Sequence, residues 1–368
     1  MKSKVLSILH RAPPAHGASK VGDFIANNKK INEEYESYYI TIKSSNTIGD
    51  IGKINFKKIY LVIELYFRVL WALLVFRPNK IYFTASVRSV AFYRDVLLSS
   101  LFKMYGFFTN VHVYYHYHTK GVNNFVSSSK KNLFLTRFFL KNVNLILLSP
   151  LLKDDFNKVK TFNKIFYLPN AVDSLIKKED FDSYIKRKYH QVPTVNILYL
   201  SNMIKSKGYF DVLQLVKLYE NKNIHFHFAG AWQKKEDEIE FFNYIREYEL
   251  DDMVTFHGFI NGEEKDSLLR MSHIFMFPTR YKNEAFPLAI LEAMSYGLIT
   301  VSTDEGSIPY IVDDNSGYLV EDIKELEKAF TKALKDVENR DKIFYIRKRY
   351  ENNFNTERFE TNLLGILQ

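Results

Sequence analysis

The sequence predicts an α/β protein built from two doubly wound domains. Three observations support this prediction. The chain has 368 residues, enough for two complete cores. Short apolar strands alternate with helical patterns in both halves, and a charged segment over residues 173–192 interrupts the alternation. We predict a first domain over residues 1–175, a second over residues 176–345, and a helical tail over residues 346–368 that packs back on the first domain.

The first half begins with a strand and alternates from there. Runs of β-branched, aromatic and aliphatic residues predict strands at Val5–His10, Lys80–Ala85, Val111–His118, Leu145–Ser149 and Ile165–Leu168. Apolar residues at helical spacing predict helices between them, at Val21–Asn27, Ile59–Phe76, Ala91–Tyr105 and Asn132–Lys141.

The second half repeats the alternation after residues 173–192, which are rich in Lys, Asp and Glu and are interpreted as a linker. Its predicted strands are Asn196–Leu200, His225–Ala229, Val254–His257, Ile274–Phe277 and Ile299–Ser302. The chain from Lys342 onward has helical periodicity. Two such domains imply a cleft, with ligands bound beyond the carboxyl ends of the strands.

Two acids frame a predicted helix in the second domain. Proline is tolerated at a first helical position and glycine ends helices, so Pro287 to Tyr296 should form a helix stopped by Gly297. Glu284 then lies in the loop before this helix and Glu292 about two turns inside it. Because a helix start attracts phosphate and carboxylates accept hydrogen bonds from sugar hydroxyls, the arrangement suits a nucleotide-sugar.

Composition narrows the class of protein. The chain has no cysteine, which excludes disulfides and favours a reducing, cytoplasmic compartment. The apolar run at the N-terminus is too short for a signal peptide. The apolar stretch Ile59–Phe76 contains Glu64 and Arg68, which can pair on one helix face. We therefore predict a mostly buried helix of an α/β domain here, not a transmembrane segment.

Charge is divided unevenly between the two halves. Residues 1–170 contain 25 Lys and Arg against 9 Asp and Glu, whereas residues 171–368 contain 26 against 33. Residues 101–150 contain no acid. A basic face of this kind is either a solvated surface or an attractant for polyanions or anionic lipid headgroups. Since no nucleic-acid-reading motif accompanies the charge, we expect no nucleic-acid partner.

Most of the chain, and most strongly Asn196–Val320, resembles the retaining glycosyltransferases of family 4. These enzymes have the GT-B fold, in which two Rossmann-like doubly wound domains face each other across a cleft. The resemblance rests on the ordered segments Ile197–Asn202, Lys205–Gly208, Phe228–Gly230, Val254–Phe259, Phe277–Thr279, Asn283–Met294, Glu305–Pro309 and Ser316–Val320, with Leu168–Asp173 in the first domain.

The resemblance implies roles for the two acids and a lysine. Lys207 is expected to place a positive charge on the donor diphosphate, Glu292 to bind the nucleotide ribose, and Glu284 to bind hydroxyls of the transferred sugar. Backbone N–H groups or walls around the diphosphate are expected from Phe286, Pro287 and Leu288. Thr279 is also expected to contribute to the donor site.

One position departs from the family pattern. The family usually has an arginine five positions before the lysine, and this sequence has Asn202 there. Asparagine can hydrogen-bond a phosphate but carries no charge. Lys205, in the same loop, and Arg280, after the next strand, are both candidates for the compensating cation, and the sequence leaves the choice between them open.

The resemblance implies site residues in the first domain too. The loop over residues 11–20 contains Gly17, which permits close approach to a ligand, and has no dinucleotide or P-loop fingerprint. His116 and His118 share a strand face and could begin a metal site. The resemblance instead favours His118 as an active-site histidine beside the sugar.

Two other patterns are interpreted as structural. His225 and His227, flanked by phenylalanines, are expected to have structural roles. Asp180 and Asp182 match an Asp-x-Asp pattern but lie in the charged linker, so they are interpreted as solvated surface. We expect no metal or cofactor.

The predicted function is transfer of a sugar, with retained anomeric configuration, from a nucleotide-diphosphate sugar to a glycan or lipid-linked acceptor, with hexosyl transfer in bacterial surface polysaccharide synthesis expected. A UDP-sugar is preferred over a GDP-sugar as donor. The enzyme is expected in the cytoplasm, with the basic first domain and its helix Phe134–Lys141 on an anionic membrane face. The alternatives are a GT-B epimerase or phosphorylase and a non-catalytic GT-B partner subunit.

Overall fold

The computed structural model describes residues 2–13, 17–43, 56–190, 194–219 and 223–368. The chain forms two compact units. The first comprises Met1–Asn170 with Phe359–Gln368, and the second Ala171–Arg358. In the described residues each unit has a six-stranded, all-parallel sheet with connecting helices, which confirms the predicted α/β class.

The sheet of the first unit has the order β2-β1-β3-β4-β5-β6. Its strands are β1 Lys4–Leu9, β2 Glu36–Thr41, β3 Lys80–Ala85, β4 His112–Tyr117, β5 Asn144–Leu147 and β6 Ile165–Tyr167. Central strands such as β3 are buried along their whole length, as expected where helices cover both faces. The sequence analysis missed β2, an edge strand in which the polar residues Glu36, Ser37 and Thr41 flank a short apolar run and only Ile40 is buried.

The helices of the first unit are α1 Gly17–Asn27, α2 Lys29–Glu34, α3 Phe56–Trp71, α4 Ser89–Phe108, α5 Val122–Ser127 and α6 Lys130–Leu140. A π-helical turn, Ala72–Phe76, extends α3. The prediction of a mostly buried helix over Ile59–Phe76 is wrong, because only 22% of this stretch is buried. Leu65, Val69 and Ala72 face the core, while the opposite side of the helix is exposed.

The sheet of the second unit has the order β12-β11-β10-β7-β8-β9. Its strands are β7 Val195–Leu200, β8 Ile224–Ala229, β9 Val254–Phe256, β10 Ile274–Phe277, β11 Ile299–Thr303 and β12 Gly317–Val320. All but β12 were predicted within about two residues. The missed strand is a four-residue edge strand that begins with a glycine.

The helices of the second unit are α7 Phe181–His190, α8 Tyr209–Val216, α9 Lys235–Glu247, α10 Gly262–Met271, α11 Leu288–Ser295, α12 Ile308–Ile311, α13 Leu326–Lys335 and α14 Arg340–Asn353. The interpretation of residues 173–192 as a linker is wrong over α7. This helix buries Phe181, Tyr184 and Ile185, residues spaced to share one face, beneath a charged outer surface.

The chain returns to the first unit at its end. Helix α15, Thr356–Leu367, confirms the helical periodicity of the tail, and Phe359–Gln368 belong to the first unit. Glu360 holds this segment through Asn28 at 2.7 Å and Lys30 at 2.6 Å. The units divide after Asn170, five residues before the predicted boundary, and residues 346–358 of the predicted tail belong to the second unit.

Candidate active site

Glu284 and Lys207 form an ion pair beyond the carboxyl ends of the adjacent strands β10 and β7. Glu284 Oε2 lies 3.2 Å from Lys207 Nζ, and the two side chains are 12% and 17% exposed. Among the described residues, no donor makes an aligned hydrogen bond to this buried oxygen. Glu284 therefore has a charge partner and an oxygen that can still accept a hydrogen bond, as recognition of a ligand hydroxyl would require.

The Lys207 ammonium is held by its surroundings. It donates to Ser201 Oγ at 3.3 Å and lies 5.7 and 5.5 Å from the ring centroids of Phe277 and Tyr281. The next residue, Gly208, has φ +85°, and a Cβ there would lie 2.3 Å from the Pro278 carbonyl oxygen. Only glycine fits this close approach, which fixes the lysine loop against the turn after β10.

The two candidate replacements for the family arginine both point to other acids. Lys205 Nζ lies 2.6 Å from Glu240 on α9, and Arg280 Nη2 lies 2.7 Å from Asp211 on α8. Each basic side chain is about half exposed, whereas Lys207 is mostly buried. Asn202 itself is exposed. Of these basic groups, Lys207 is the one that contacts Glu284.

Helix α11 begins one residue later than predicted. Pro287 has extended backbone angles at the N-cap, so Leu288 is the first helical residue. No side chain of the described residues caps this start. The first N–H groups of a helix can donate to an anion, and the helix dipole favours negative charge there. The preceding Phe286 is buried, and its ring packs beside those of Tyr310 and Phe354.

Glu292 lies within α11 and pairs with a residue that the sequence analysis did not anticipate. Its Oε1 accepts a hydrogen bond from Lys265 Nζ of α10 at 2.9 Å, and the two side chains are 14% and 27% exposed. The pair fixes one carboxylate oxygen. As predicted, α11 stops at Gly297, which has φ +73°.

The backbone of Glu284 rests on the loop after β11. Gly306 has φ +61°, and a Cβ there would lie 2.2 Å from the Glu284 carbonyl oxygen. The Ser307 N–H donates to the Ala285 carbonyl at 2.9 Å. Thr279 is fully buried, accepts the Tyr281 N–H at 3.2 Å and accepts a hydrogen bond from Thr303 at its own carbonyl. Thr279 thus shapes the turn that precedes Glu284.

In the first unit, His118 follows β4. His116 and His118 share one strand face, as the spacing predicted, with ring centroids 4.0 Å apart. His116 is fully buried and shares a hydrogen bond with Tyr82. Burial, together with the neighbouring His118, holds the pKa of His116 well below its usual range. His116 is therefore neutral near pH 7 and presents an uncharged neighbour to His118.

The segment after His118 is fixed by one carboxylate. Asp155 accepts the backbone N–H groups of Gly121, Val122 and Asn123 at 2.7–2.9 Å, at the start of α5. The Asp155 carboxylate therefore already binds the N–H groups at the start of α5. The sequence analysis did not single out Asp155.

Two further residues from the sequence analysis lie on the surface of their own units. Gly17 is the exposed first residue of α1, and residues 14–16 of its loop lie outside the described residues. Asp182 is on the surface and pairs with Lys186 and Arg340. No group of three or more His, Cys, Asp or Glu in the described ranges could hold a metal ion.

The histidines of β8 have structural contacts. His225 shares a hydrogen bond with Thr255 at 2.8 Å. His227 shares one with His257 at 3.0 Å and another with Asn196 at 3.1 Å. These contacts connect neighbouring strands and agree with the structural role that was predicted.

Residues 180–349 match the family described as glycosyl transferases group 1. These residues lie entirely within the second unit. The match covers most of the second unit, which is called the group 1 domain below. The match includes Lys207, Glu284 and Glu292, and so covers both ion pairs described above.

Curated relatives agree with this family. The putative colanic acid biosynthesis glycosyltransferase WcaL of Escherichia coli is 28% identical over 188 residues, 47% of this chain and 45% of that protein. A phosphatidylinositol N-acetylglucosaminyltransferase component of Arabidopsis thaliana is 29% identical over 176 residues, 46% of this chain and 36% of that protein. The chain thus spans less than half the length of these relatives.

Solved structures extend the likeness to the whole chain. The Anabaena protein HepE, in complex with UDP-glucose, matches with a TM-score of 0.70 over 99% of both chains at 13% identity. At this identity the match shows the fold alone. It confirms the predicted GT-B fold, in which the group 1 domain is the second of two α/β units.

Within the group 1 domain, Lys265 is the residue near the predicted acids that sequence reasoning missed. It lies 27 positions before Glu292, in a helix that also contains the charged residues Glu263, Glu264, Asp266 and Arg270. A periodicity argument places Lys265 on α10 but does not show which helix faces α11.

Proposed function

We propose that this protein transfers a sugar from a nucleotide-diphosphate sugar to a glycan or lipid-linked acceptor. The observation that carries the proposal is the largely buried Glu284–Lys207 pair at 3.2 Å beside the uncapped start of α11. A nucleotide-sugar supplies the complement of this arrangement, since its sugar hydroxyls donate to carboxylates and its diphosphate accepts from N–H groups and ammonium groups.

Lys207 and the start of α11 would stabilise the leaving group. When the bond between the anomeric carbon and the diphosphate oxygen breaks, its electron pair remains on that oxygen as negative charge. The Lys207 ammonium and the N–H groups of Leu288 and the following residues are fixed before the reaction, so they stabilise this charge without reorganisation.

Glu284 would orient the transferred sugar. With a diphosphate beside Lys207, the ammonium divides its charge between phosphate and carboxylate, and Glu284 Oε2 is then available to accept a sugar hydroxyl. Glu292 would accept the ribose hydroxyls of the nucleotide, with Lys265 holding the carboxylate in place at 2.9 Å. The role of His118 toward the sugar stays a prediction from the resemblance.

The donor proposal is a UDP-sugar, supported by the UDP-glucose complex of the similarly folded HepE. The stereochemical proposal is retention, by displacement on the face that the diphosphate leaves. The new bond joins the acceptor oxygen to the anomeric carbon, and the acceptor proton passes to the leaving phosphate. A role in surface polysaccharide synthesis in the bacterial cytoplasm is proposed on the likeness to WcaL.

The test is an assay of purified protein with UDP-, GDP- and ADP-sugars and a panel of lipid-linked and glycan acceptors. We expect a glycosylated product with the anomeric configuration of the donor, read by NMR, and free nucleoside diphosphate in equal amount. Nucleotide released without acceptor would favour an epimerase, and a reaction that requires inorganic phosphate would favour a phosphorylase. Binding of donor without turnover in any combination would indicate a non-catalytic partner.

A further inference from the structure

Helix α3 and its π-helical extension expose an apolar stripe. Its large side chains recur every three or four residues and are 48–66% exposed: Ile59, Tyr60, Ile63, Phe67, Trp71, Leu74 and Val75. That spacing places them along one side of the helix. A row of this length that includes a tryptophan and a phenylalanine is far more apolar than a solvent-facing helix surface normally is.

Helix α4 carries a second stripe of the same kind. Val90, Tyr93, Leu97 and Met104 are 41–54% exposed, and at its end Phe107 and Phe108 are 83% and 78% exposed. Helix α4 packs against α3 on one side and against α6 on the other, so the three helices form one layer. Helix α6 adds the exposed Phe134. We call the outer surface of α3 and α4 the α3–α4 face.

Basic side chains lie among these rings. The Lys131 ammonium is 5.2 Å from the ring centroid of Tyr93, and the Lys103 ammonium is 5.2 Å from that of Phe138. The acids of the two helices are already neutralised, since Glu64 pairs with Lys43 at 2.8 Å and the buried Asp95 pairs with Arg94. The charge presented around the α3–α4 face is therefore positive.

The stretch Ile59–Phe76, which joins most of α3 to its π-helical extension, is long and apolar enough to cross a membrane by length and composition alone. Its connections favour a different placement. The preceding strand β2 and the following strand β3 both pair with β1, so the two ends of the helix return to the same sheet. Leu65, Val69 and Leu73 remain buried against the unit. The helix thus lies along the unit with its apolar stripe directed outward.

We propose that the α3–α4 face docks on an anionic lipid membrane, with its apolar side chains inserted at the headgroup boundary and its lysines against the lipid charge. In-plane insertion of this kind combines burial of apolar area with attraction to anionic headgroups. Aromatic rings and lysine stems suit this interface because one end of each is apolar and the other is polar. The inference rests on the first unit and is independent of the proposed sugar transfer.

The chain offers an internal probe of this contact, because Trp71 and Trp232 are its two tryptophans. Trp71 is half exposed on α3, whereas Trp232 lies in the second unit with its indole nitrogen buried. Vesicles of phosphatidylglycerol with phosphatidylcholine should shift the tryptophan emission to shorter wavelength, and pure phosphatidylcholine vesicles should shift it much less. Trp71→Phe should abolish the shift and keep co-sedimentation with the vesicles, and Trp232→Phe should retain both.

Variants of the face provide the second arm. Phe67→Glu on α3 and Phe107→Ser on α4 should each weaken co-sedimentation about tenfold or more, with unchanged thermal unfolding. The matched control is Leu218→Glu, an exposed leucine of the second unit (56%), which should bind vesicles like the wild type. The proposal is overturned if the wild type does not bind anionic vesicles, or if Phe67→Glu and Phe107→Ser both bind them as strongly as the wild type does. A third outcome would also overturn it: the wild type forms a dimer, Phe67→Glu dissociates this dimer, and lipid vesicles do not. The α3–α4 face would then be the contact surface for a second copy of the chain.

Discussion

The Glu284 carboxylate lies 3.2 Å from the Lys207 ammonium, and both side chains are largely shielded from solvent. In this arrangement each group is the charge partner of the other. A nucleotide-diphosphate sugar would bring a diphosphate to the lysine and hydroxyls to the carboxylate. The ion pair can therefore keep both side chains in position before the donor binds, so that donor binding requires little reorganisation of the site.

Replacing Lys207 with alanine should lower kcat for sugar transfer by about 10²–10³-fold, because it removes a fixed positive charge from the leaving diphosphate. Lys205→Ala is the matched control from the same loop. Its side chain is half exposed and pairs with Glu240, so kcat should fall by less than about fivefold. Steady-state kinetics of both variants measures the two values of kcat. Equal losses would mean that Lys205 supplies the charge missing at Asn202.

Lys265→Ala should raise the donor KM by about fivefold with little change in kcat, because the lysine positions the ribose-binding carboxylate of Glu292 and does not contact the reacting bond. Lys186→Ala removes a surface pair with Asp182 at 2.6 Å and should leave both constants unchanged. A fall in kcat at unchanged KM for Lys265→Ala would contradict this positioning role.

Gly306→Ala should destabilise the protein and reduce donor binding, because the new Cβ would lie 2.2 Å from the Glu284 carbonyl oxygen. We expect the free energy of unfolding to fall by about 2–3 kcal/mol from overlap and the positive φ together. Gly258→Ala is the control: φ is +67° there and nothing lies within 4 Å. That variant should lose about 1 kcal/mol. Urea unfolding of the two variants measures the difference, and equal losses would be inconsistent with the packing described.

Stability should decrease as the pH falls from 7 to 5. Burial lowers the pKa of His227 and of His273 to about 3, with smaller contributions from neighbouring histidines and Lys188. In the unfolded chain both titrate near 6.5, so between about pH 3 and 6.5 the unfolded state binds more protons. Each histidine therefore lowers the free energy of unfolding at pH 5 by up to about 2 kcal/mol relative to pH 7.

His227→Gln tests this origin of the pH dependence. The variant should show a smaller difference in unfolding free energy between pH 7 and pH 5, measured by urea unfolding at the two values. An unchanged difference would mean that carboxylates or other groups cause the acid sensitivity.

The features predicted most accurately from the sequence have strong local causes. Strands β3 and β10 match the predicted bounds because continuous apolar runs favour buried parallel strands. Gly297 ends α11 as predicted, because glycine adopts the left-handed backbone conformation of a helix end without a steric penalty, and this preference depends on the residue itself. The roles assigned to Glu284 and Glu292 came from the resemblance and remain predictions.

The features that were missed depend on tertiary partners. The apolar residues of α3 have the same helical spacing whether protein covers them or not. Periodicity therefore could not show that Phe67 and Trp71 are exposed. In α7, charged residues on one side concealed the buried Phe181. The pairing of Lys265 with Glu292 depends on how two helices pack, which neither helix encodes by itself.

The measurement that tests the central claim most directly is calorimetric titration of the wild type and of Glu292→Gln with UDP-, GDP- and ADP-sugars. The control is Glu327→Gln, an exposed acid on α13. We predict that one class of nucleotide-sugar binds the wild type and the control alike, and binds Glu292→Gln at least about tenfold more weakly. If no nucleotide-sugar binds the wild type, or if Glu292→Gln binds it with undiminished affinity, the proposed donor site is contradicted.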